Sequence, residues 1–313
     1  MPRPHDLPAL AAGVAQRAPR SLARAISLIE AGHRDADLIV AALPRGRAAH
    51  VVGVTGPPGV GKSTMTSALV TALRANGRTV AVLAVDPTSP FSGGALLGDR
   101  IRMGGHAVDP GVFIRSLAAR GQLGGLAAAV PAAVRLLEAA GFDVVLIETV
   151  GVGQSEVEIA SRADTCVVLV APGAGDGIQA AKAGVLEIAD IFAVNKADRD
   201  GATAAVHDLR AQMRLTARPA GAWRPPVVRC SAATGAGITD LLAAIEEHRE
   251  RTSRDGTWAV RRSARAGAEV EALVRAALAT PIAEAVAERA GEVVSGHRDP
   301  RTVAAQIAAR FGA

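Results

Sequence analysis

The sequence predicts an α/β protein whose mainly parallel sheet is covered by helices on both faces, with helical extensions before and after it. From residue 50 onward, short runs rich in β-branched residues alternate with stretches of helical spacing. Most of these runs are continuously apolar, which is typical of strands buried on both faces. The alternation favours βαβ units, and the strand pattern stops after about residue 254.

Six runs have strand character, and they read HVVGVT, VAVLAVD, VVLIET, TCVVLVA, IFAVNK and PPVVRCSA. Apolar residues at helical spacing separate these runs, over residues 62–75, 122–140, 176–189 and 237–250. We therefore expect the α/β domain to occupy residues 46–253.

The two ends of the chain have helical patterns only. Residues 1–45 carry two apolar stripes, formed by Leu22, Ile26 and Ile29 and by Leu38, Ile39 and Leu43. Residues 254–313 carry a third stripe, formed by Val270, Leu273, Val274 and Leu278. A tail of this length is too small for an independent core. It is expected to pack on the main domain or, as a dimerisation arm, on a second copy of the chain.

Composition excludes several classes of protein. Hydrophobic residues make up 49% of the chain and charged residues 21%, so a sizeable core is available. The net charge of +5 comes without the interleaved aromatic and basic residues used to bind single-stranded nucleic acid, so no nucleic-acid partner is expected. Cys166 and Cys230 lie in apolar runs and are interpreted as core residues of a protein in a reducing compartment. The chain has no signal-like start and no apolar run of about 20 residues. It is therefore expected to be cytoplasmic and to have no membrane partner.

Residues 56–63 match the phosphate-loop pattern G-x-x-x-x-G-K-S/T, between a strand-like run and a helix-like run. Glycines let the backbone turn so that its N–H groups point at phosphate oxygens. Lys62 is predicted to reach the β- and γ-phosphates, and the Ser63 hydroxyl to complete the shell of Mg²⁺. The predicted nucleotide contacts of the loop are Gly56, Pro57, Pro58, Gly59, Val60, Gly61, Lys62, Ser63 and Thr64. The motif predicts a P-loop NTPase.

A second motif indicates guanine recognition. Asn195, Lys196 and Asp198 form an N-K-x-D sequence after the strand-like run IFAV. The Asp198 carboxylate can accept from the ring N–H and the exocyclic amine of guanine, a pair of donors that adenine does not present. An unpaired carboxylate is costly, so the site also selects against adenine. Ser231 and Ala232 follow the next strand-like run and are expected to contact the base.

Acidic residues at strand ends are the candidates for metal binding and catalysis. Glu148 begins the sequence ETVG, where a carboxylate can hold a water of the Mg²⁺ shell or orient the attacking water, and Gly151 can donate its N–H to the γ-phosphate. Asp86 ends the run VAVLAVD, at the sheet edge where ligands bind in open α/β folds. Asp99 lies in a glycine-rich stretch suited to a switch. The structural alternatives are a strand-end turn for Asp86 and a helix cap for Asp99.

Lysine is rare in this chain. The sequence has three lysines, and two of them, Lys62 and Lys196, lie inside the nucleotide motifs. Arginine supplies the other basic charge, and the two side chains are not interchangeable. The third, Lys182, is expected to belong to a loop that senses nucleotide or partner. The alternative is an ordinary surface lysine.

These motifs resemble the MeaB/ArgK family of SIMIBI-class GTPases. The strings GPPGVGKST, VDPTSP, ETVGVGQSE, APGAGDGIQAAKAG and NKAD occur in the order of that family, and the resemblance covers roughly residues 20–310. It implies a GTPase that binds GTP or GDP with Mg²⁺, gates adenosylcobalamin delivery to methylmalonyl-CoA mutase and protects that enzyme. It also implies a homodimer formed through the C-terminal arm.

The resemblance also assigns roles to single residues. It implies that Asp86, Asp99 and Glu148 are the acidic residues associated with the metal ion and with the switch segments. It further implies that residues 173–182 form the mobile loop that couples nucleotide state to the partner. Within that loop the candidate switch residues are Gly173, Asp176, Gln179 and Lys182.

Three other functions remain open at this point. The first is a GTP-dependent kinase of periplasmic amino-acid-binding transport proteins, because a protein hydroxyl could replace water as the acceptor. The second is a nickel metallochaperone, which would need clustered His and Cys, whereas the seven histidines here are scattered. The third is a module that binds nucleotide without turnover, which the presence of Lys62, Ser63 and Glu148 disfavours.

Overall fold

A computed structural model of the chain describes residues 6–43, 48–87, 104–106, 108–119, 125–149, 161–173, 185–215 and 221–311. Its strands form one parallel sheet with the order β3-β2-β4-β1-β5-β6-β7. The strands are β1 His50–Thr55, β2 Val80–Pro87, β3 Val112–Ala119, β4 Val144–Thr149, β5 Thr165–Val170, β6 Ile191–Val194 and β7 Val227–Arg229.

Helices precede, separate and follow these strands. They are α1 Leu7–Ala15, α2 Pro19–Glu30, α3 Arg34–Ala42, α4 Lys62–Ala75, α5 Gly125–Ala139, α6 Val185–Ile188, α7 Ala202–Leu215, α8 Ile238–Arg254, α9 Thr257–Val294 and α10 Pro300–Arg310, with a short 3₁₀ turn at Gly104–His106. Helix α4 has the predicted bounds, whereas residues 176–184 of the third predicted helix lie outside the described part.

Both faces of the sheet are covered, as the sequence predicts. Along β1 and β4, alternate residues face opposite sides, as expected for extended strands. One set, including Val51 and Ile147, packs in a core with residues of α2 and α5. The other set, including Val54 and Leu146, packs with residues of α4 and α8. The predicted fold class, a parallel sheet between two helical layers with helical regions at both ends, is confirmed.

Strand β3 was not among the six predicted strands. It lies at the edge of the sheet and pairs with β2. Its sequence, VFIRSLAA, contains Arg115 and Ser116 and so lacks the continuously apolar character of the inner strands. Arg115 donates a 2.8 Å hydrogen bond to Glu30 of α2. An edge strand tolerates this polar residue because its side chain reaches a partner on a neighbouring helix.

The chain separates into two compact units, Met1–Arg265 and Ala266–Ala313. Helix α9 begins in the first unit and continues into the second. Within the second unit, Ala285 packs with Val303 and Ile307 in a small apolar cluster. None of the described helices has the length and apolar character needed to cross a membrane.

Buried polar side chains are linked at the amino ends of β1, β5 and β6. The Thr165 hydroxyl lies 2.8 Å from Nε2 of His50 and 2.8 Å from Nδ1 of His248. Nε2 of His248 lies 3.2 Å from Asp190, whose carboxylate accepts two 2.9 Å hydrogen bonds from Arg261 at the start of α9. Buried polar groups are costly unless they are bonded. The network therefore holds the first turns of α9 against this end of the sheet.

Candidate nucleotide site

The phosphate loop joins β1 to α4 and depends on glycine at two positions. Gly56 has a φ of 141°, and a Cβ there would lie 2.3 Å from the carbonyl oxygen of Leu169. Gly61 has a φ of 93° and precedes α4, and a Cβ there would lie 2.7 Å from Nδ2 of Asn195. Any other residue would be both strained and in collision. The predicted turn is therefore built as the motif requires.

Lys62 is folded onto its own loop. Its Nζ donates hydrogen bonds to the carbonyl oxygens of Gly56, at 2.7 Å, and Pro57, at 3.0 Å. The side chain is buried, although it is an ammonium. Pro58, Gly59 and Thr64, also predicted to contact nucleotide, are exposed at the rim. The loop thus presents a cation at the N-terminus of α4, an arrangement suited to phosphate.

Ser63 and Glu148 meet although they are 85 residues apart in sequence. The Ser63 hydroxyl donates a 2.6 Å hydrogen bond to Oε1 of Glu148. Glu148 is buried, with 3% of its surface exposed, and its register partner in β1 is Val54. Two oxygen side chains therefore lie together beside the phosphate loop, where they could hold a hard cation.

Asn195 connects the two predicted motifs. Its Nδ2 donates a 2.7 Å hydrogen bond to the carbonyl oxygen of Val60 in the phosphate loop. Its Oδ1 accepts a 3.0 Å hydrogen bond from the N–H of Ala232. Asn195 is 2% exposed, so both bonds are shielded from water. The side chain fixes the phosphate loop, the N-K-x-D segment and the segment after β7 relative to one another.

Lys196 and Asp198 lie at the surface end of the same segment. Lys196 has a φ of 58°, unusual for a residue with a side chain, and its Nζ donates a 2.7 Å hydrogen bond to the Gly59 carbonyl oxygen. Asp198 is exposed. The neighbouring Ser231 hydroxyl, followed by backbone N–H, holds the pKa of Asp198 below its ordinary value. The carboxylate is therefore ionised at neutral pH, as acceptance from guanine requires.

The remaining candidates are described only in part. Asp86 belongs to β2, but its side chain lies outside the described part. In the register of the sheet, Glu148 pairs with Ala84, which is two positions before Asp86. Gly173 follows β5 in a turn with a φ of 77°. The other predicted switch residues lie outside the described residues, namely Asp99, Gly151, Asp176, Gln179 and Lys182.

Sequence reasoning missed a hydroxyl pair beside this site. Thr55 ends β1 and Thr149 ends β4, and their Oγ1 atoms are 3.1 Å apart. The signal that could have indicated it is simple. Two mostly apolar strands both finish on a threonine, which directly precedes a phosphate-loop glycine in β1 and directly follows Glu148 in β4.

The sequence of this chain is similar to those of several known proteins. A model of the family described as methylmalonyl-CoA mutase-associated GTPase MeaB matches residues 22–287. A protein of Pyrococcus horikoshii named as a GTPase is 46% identical over 272 residues, covering 86% of each chain. The mouse protein named methylmalonic aciduria type A homolog, mitochondrial, is 40% identical over 214 residues, which are 67% of this chain and 52% of the mouse protein.

One solved structure covers nearly the whole chain. The crystal structure of a LAO/AO transport system kinase is 28% identical, has a TM-score of 0.71, and is covered over 98% of both chains. The phosphate loop, the N-K-x-D segment and the parallel sheet described above are consistent with this relationship. The chain belongs to the MeaB family of methylmalonyl-CoA mutase-associated GTPases.

Proposed function

We propose that this protein is a GTP-hydrolysing chaperone that gates adenosylcobalamin delivery to methylmalonyl-CoA mutase and protects that enzyme. The match to the mutase-associated family over residues 22–287 carries the proposal. The name of the mouse relative, which refers to methylmalonic aciduria, supports the same association. In such a chaperone, GTP hydrolysis would time the interaction with the mutase, and the GDP and phosphate formed would not themselves be the useful products.

The proposed hydrolysis uses the residues gathered around the phosphate loop. Lys62 would exchange its loop carbonyls for the β- and γ-phosphate oxygens, which are stronger partners for an ammonium. Ser63 and Glu148 supply oxygen atoms 2.6 Å apart, and such hard donors fit Mg²⁺. Bound Mg²⁺ would neutralise charge that develops on the phosphates. We propose that Asp86 and Asp99 are the other acidic residues associated with the metal ion and with the switch segments.

The proposed base selectivity rests on Asp198 together with Asn195. The ionised, exposed carboxylate of Asp198 is available to two N–H donors of guanine. Asn195 does not face solvent but holds the segments that would surround the base. The loop at residues 173–182, with Gly151, is proposed to report the nucleotide state to the mutase.

We also propose a homodimer formed through α9. In the second unit, apolar side chains of this helix are unusually exposed: Val270 60%, Leu273 45%, Val274 50%, Ile282 40% and Val286 48%. Val270, Leu273 and Val274 are spaced three and four residues apart, so they form one apolar stripe. Ile282 and Val286 lie further along the helix, beyond Pro281. A second copy of the chain offers the same stripe, and a two-fold interface between identical surfaces is the commonest form of oligomer.

The test of the main proposal is a GTPase assay with and without an adenosylcobalamin-dependent methylmalonyl-CoA mutase, after co-purification of the two proteins. We expect slow hydrolysis by the protein alone and faster hydrolysis with the mutase. A cation supplied to the γ-phosphate by a partner can raise such a rate by about 10³-fold or more. Absence of both complex and stimulation would refute the chaperone role while leaving the GTPase activity untouched.

A second candidate is a GTP-dependent protein kinase, because the similar solved protein is named a transport system kinase. In that case the γ-phosphate would pass to a protein hydroxyl. Incubation with γ-labelled GTP and an amino-acid-binding transport protein distinguishes the two. A labelled protein supports the kinase, and label found only as free phosphate supports the hydrolase. A nickel chaperone finds less support, since no group of three or more His, Cys, Asp or Glu suited to a metal occurs in the described ranges.

A further inference from the structure

Thr55 and Thr149 form a buried hydrogen bond that packing alone does not explain. Their hydroxyl oxygens are 3.1 Å apart, and the two residues are 0% and 1% exposed. The residues before them in both strands are mostly valine, leucine and isoleucine. Valine would fill the same volume as threonine without the cost of burying a hydroxyl. A pair of hydroxyls at this position therefore points to a role for the bond itself.

The bond lies one position beyond the last paired residues of β1 and β4. The register between β1 and β4 runs from His50 with Val144 to Val54 with Glu148. One position further, each of the two threonines is paired only with the strand on its outer side. Thr55 is paired with Val168 of β5, and Thr149 with Val85 of β2. The two hydroxyls thus join the halves of the sheet at the position where β1 and β4 lose their backbone register. Crevices of this kind are where open parallel sheets bind their ligands.

The bond is also adjacent to the phosphate loop and to the proposed catalytic acid. Thr55 immediately precedes Gly56, and Thr149 immediately follows Glu148. Successive residues of a strand point to opposite faces, so Thr149 lies behind Glu148 and not beside it. On the other face, Glu148 accepts the hydrogen bond from Ser63. The position of the Glu148 carboxylate therefore depends on where the end of β4 is held.

We propose that the hydrogen bond between Thr55 and Thr149 is a latch that positions Glu148 for GTP hydrolysis. Neither threonine is a catalytic residue, since both act through the end of β4. Phosphoryl transfer depends largely on positioning, and small displacements of a reacting group lower the rate steeply. The inference rests on the proposed role of Glu148, and its test is built so that the two can fail separately.

The test begins with Thr149→Val, which keeps the shape and removes the hydroxyl. We expect kcat for GTP to fall about 3- to 10-fold, the size of effect that one hydrogen bond commonly has, with the KM unchanged within about twofold. Thr149→Ser restores the hydroxyl and should restore kcat. Thr55→Val removes the other partner and should reproduce the loss, which covers the case in which Thr149→Val folds poorly.

The double variant Thr55→Val/Thr149→Val separates positioning from stability. With both hydroxyls gone, no buried hydroxyl is left without a partner, so Tm should return toward the wild-type value. The latch predicts that kcat nevertheless stays low. Recovery of kcat together with Tm would overturn the proposal, as would a normal kcat in both single variants. Thr252→Val is the matched control: this buried threonine of α8 bonds to the His248 carbonyl oxygen at 2.8 Å, and kcat should not change.

Glu148→Gln is measured alone and combined with Thr149→Val. If Glu148→Gln is slow and Thr149→Val causes no further loss in that background, the latch acts through Glu148 as proposed. An equal further loss would overturn the latch. Wild-type turnover by Glu148→Gln would refute the role of Glu148 and this inference with it, whereas a slow Glu148→Gln with a normal Thr149→Val refutes the latch alone.

Discussion

The Ser63 hydroxyl donates a 2.6 Å hydrogen bond to Oε1 of Glu148, joining the first turn of α4 to the end of β4. This contact depends on the strand order, which places β4 directly beside β1. In a P-loop GTPase the serine and the acid are the groups expected around the metal ion. Their proximity here is the arrangement that the proposed cation site needs.

The first prediction concerns the charge on Glu148. Glu148→Gln keeps the size of the side chain and an oxygen that can accept from Ser63, but it removes the negative charge. We expect kcat to fall by about 10²-fold or more, the usual scale for loss of a positioned acid or base, while GDP affinity changes little. Single-turnover hydrolysis and fluorescent GDP titration measure the two quantities. Glu246→Gln, on partly exposed surface of α8, is the matched control and should behave as wild type. Equal turnover by Glu148→Gln would contradict the prediction.

The second prediction concerns guanine selectivity. Asp198→Asn removes the anion that would accept two N–H donors, so the affinity for GDP should fall about 10- to 100-fold relative to the affinity for ADP, as expected for hydrogen bonds to a charged group. Competition binding of the two nucleotides measures the ratio. Asp200→Asn, two residues further along the same exposed segment, is the control and should keep the wild-type ratio. If the wild-type protein binds GDP and ADP equally, the guanine assignment fails before any variant is made.

The third prediction compares two glycines with similar backbone strain. Gly61→Ala would place a Cβ 2.7 Å from Nδ2 of Asn195, whereas Gly77→Ala would place one in open space, with φ values of 93° and 73°. The left-handed conformation should lower the free energy of unfolding by about 1–2 kcal/mol in both variants, and the collision with Asn195 should add to the loss in Gly61→Ala. Only Gly61→Ala should also abolish tight nucleotide binding. Chemical denaturation and GDP titration test this, and retained GDP binding by Gly61→Ala would count against the contact.

The fourth prediction is a pH dependence caused by His50. Burial, the largest cause, lowers the pKa of His50 from 6.5 to about 3 in the folded protein. Between these values the unfolded chain binds one more proton than the folded chain, so the free energy of unfolding falls as the pH falls from 6.5, by about 1.4 kcal/mol per pH unit. Above pH 6.5 the effect is absent. Asp190, whose pKa is lowered to about 2, adds a similar loss only below its ordinary value of 3.8.

The measurement is Tm against pH for the wild type and His50→Gln. The variant should have a flatter profile between pH 4.5 and 6.5, in roughly the window that the two pKa values of His50 bracket. His207→Gln, at a histidine whose side chain is 79% exposed, should leave the slope unchanged. A wild-type slope in His50→Gln would show that another group causes the pH dependence.

The motifs could be predicted because each is continuous in sequence. The phosphate loop places a strand end, three glycines and a helix start within a few residues, so local backbone geometry is enough to predict its form and the bounds of α4. The strand before Asn195 was predictable for a similar reason, since IFAV is continuously apolar and buried on both faces. Strand β3 was not predicted because its edge position permits the polar residues Arg115 and Ser116. These residues interrupt the continuously apolar pattern by which the inner strands were predicted.

By itself, the sequence determined the fold class, the phosphate loop and the N-K-x-D segment, since these depend on short-range spacing and backbone conformation. Only the tertiary structure decided which distant groups meet: Ser63 with Glu148, Asn195 with Val60, and Thr55 with Thr149. The reason is that the order of strands in a sheet follows from packing between segments far apart in the chain. Residue spacing along the chain carries no direct record of that order.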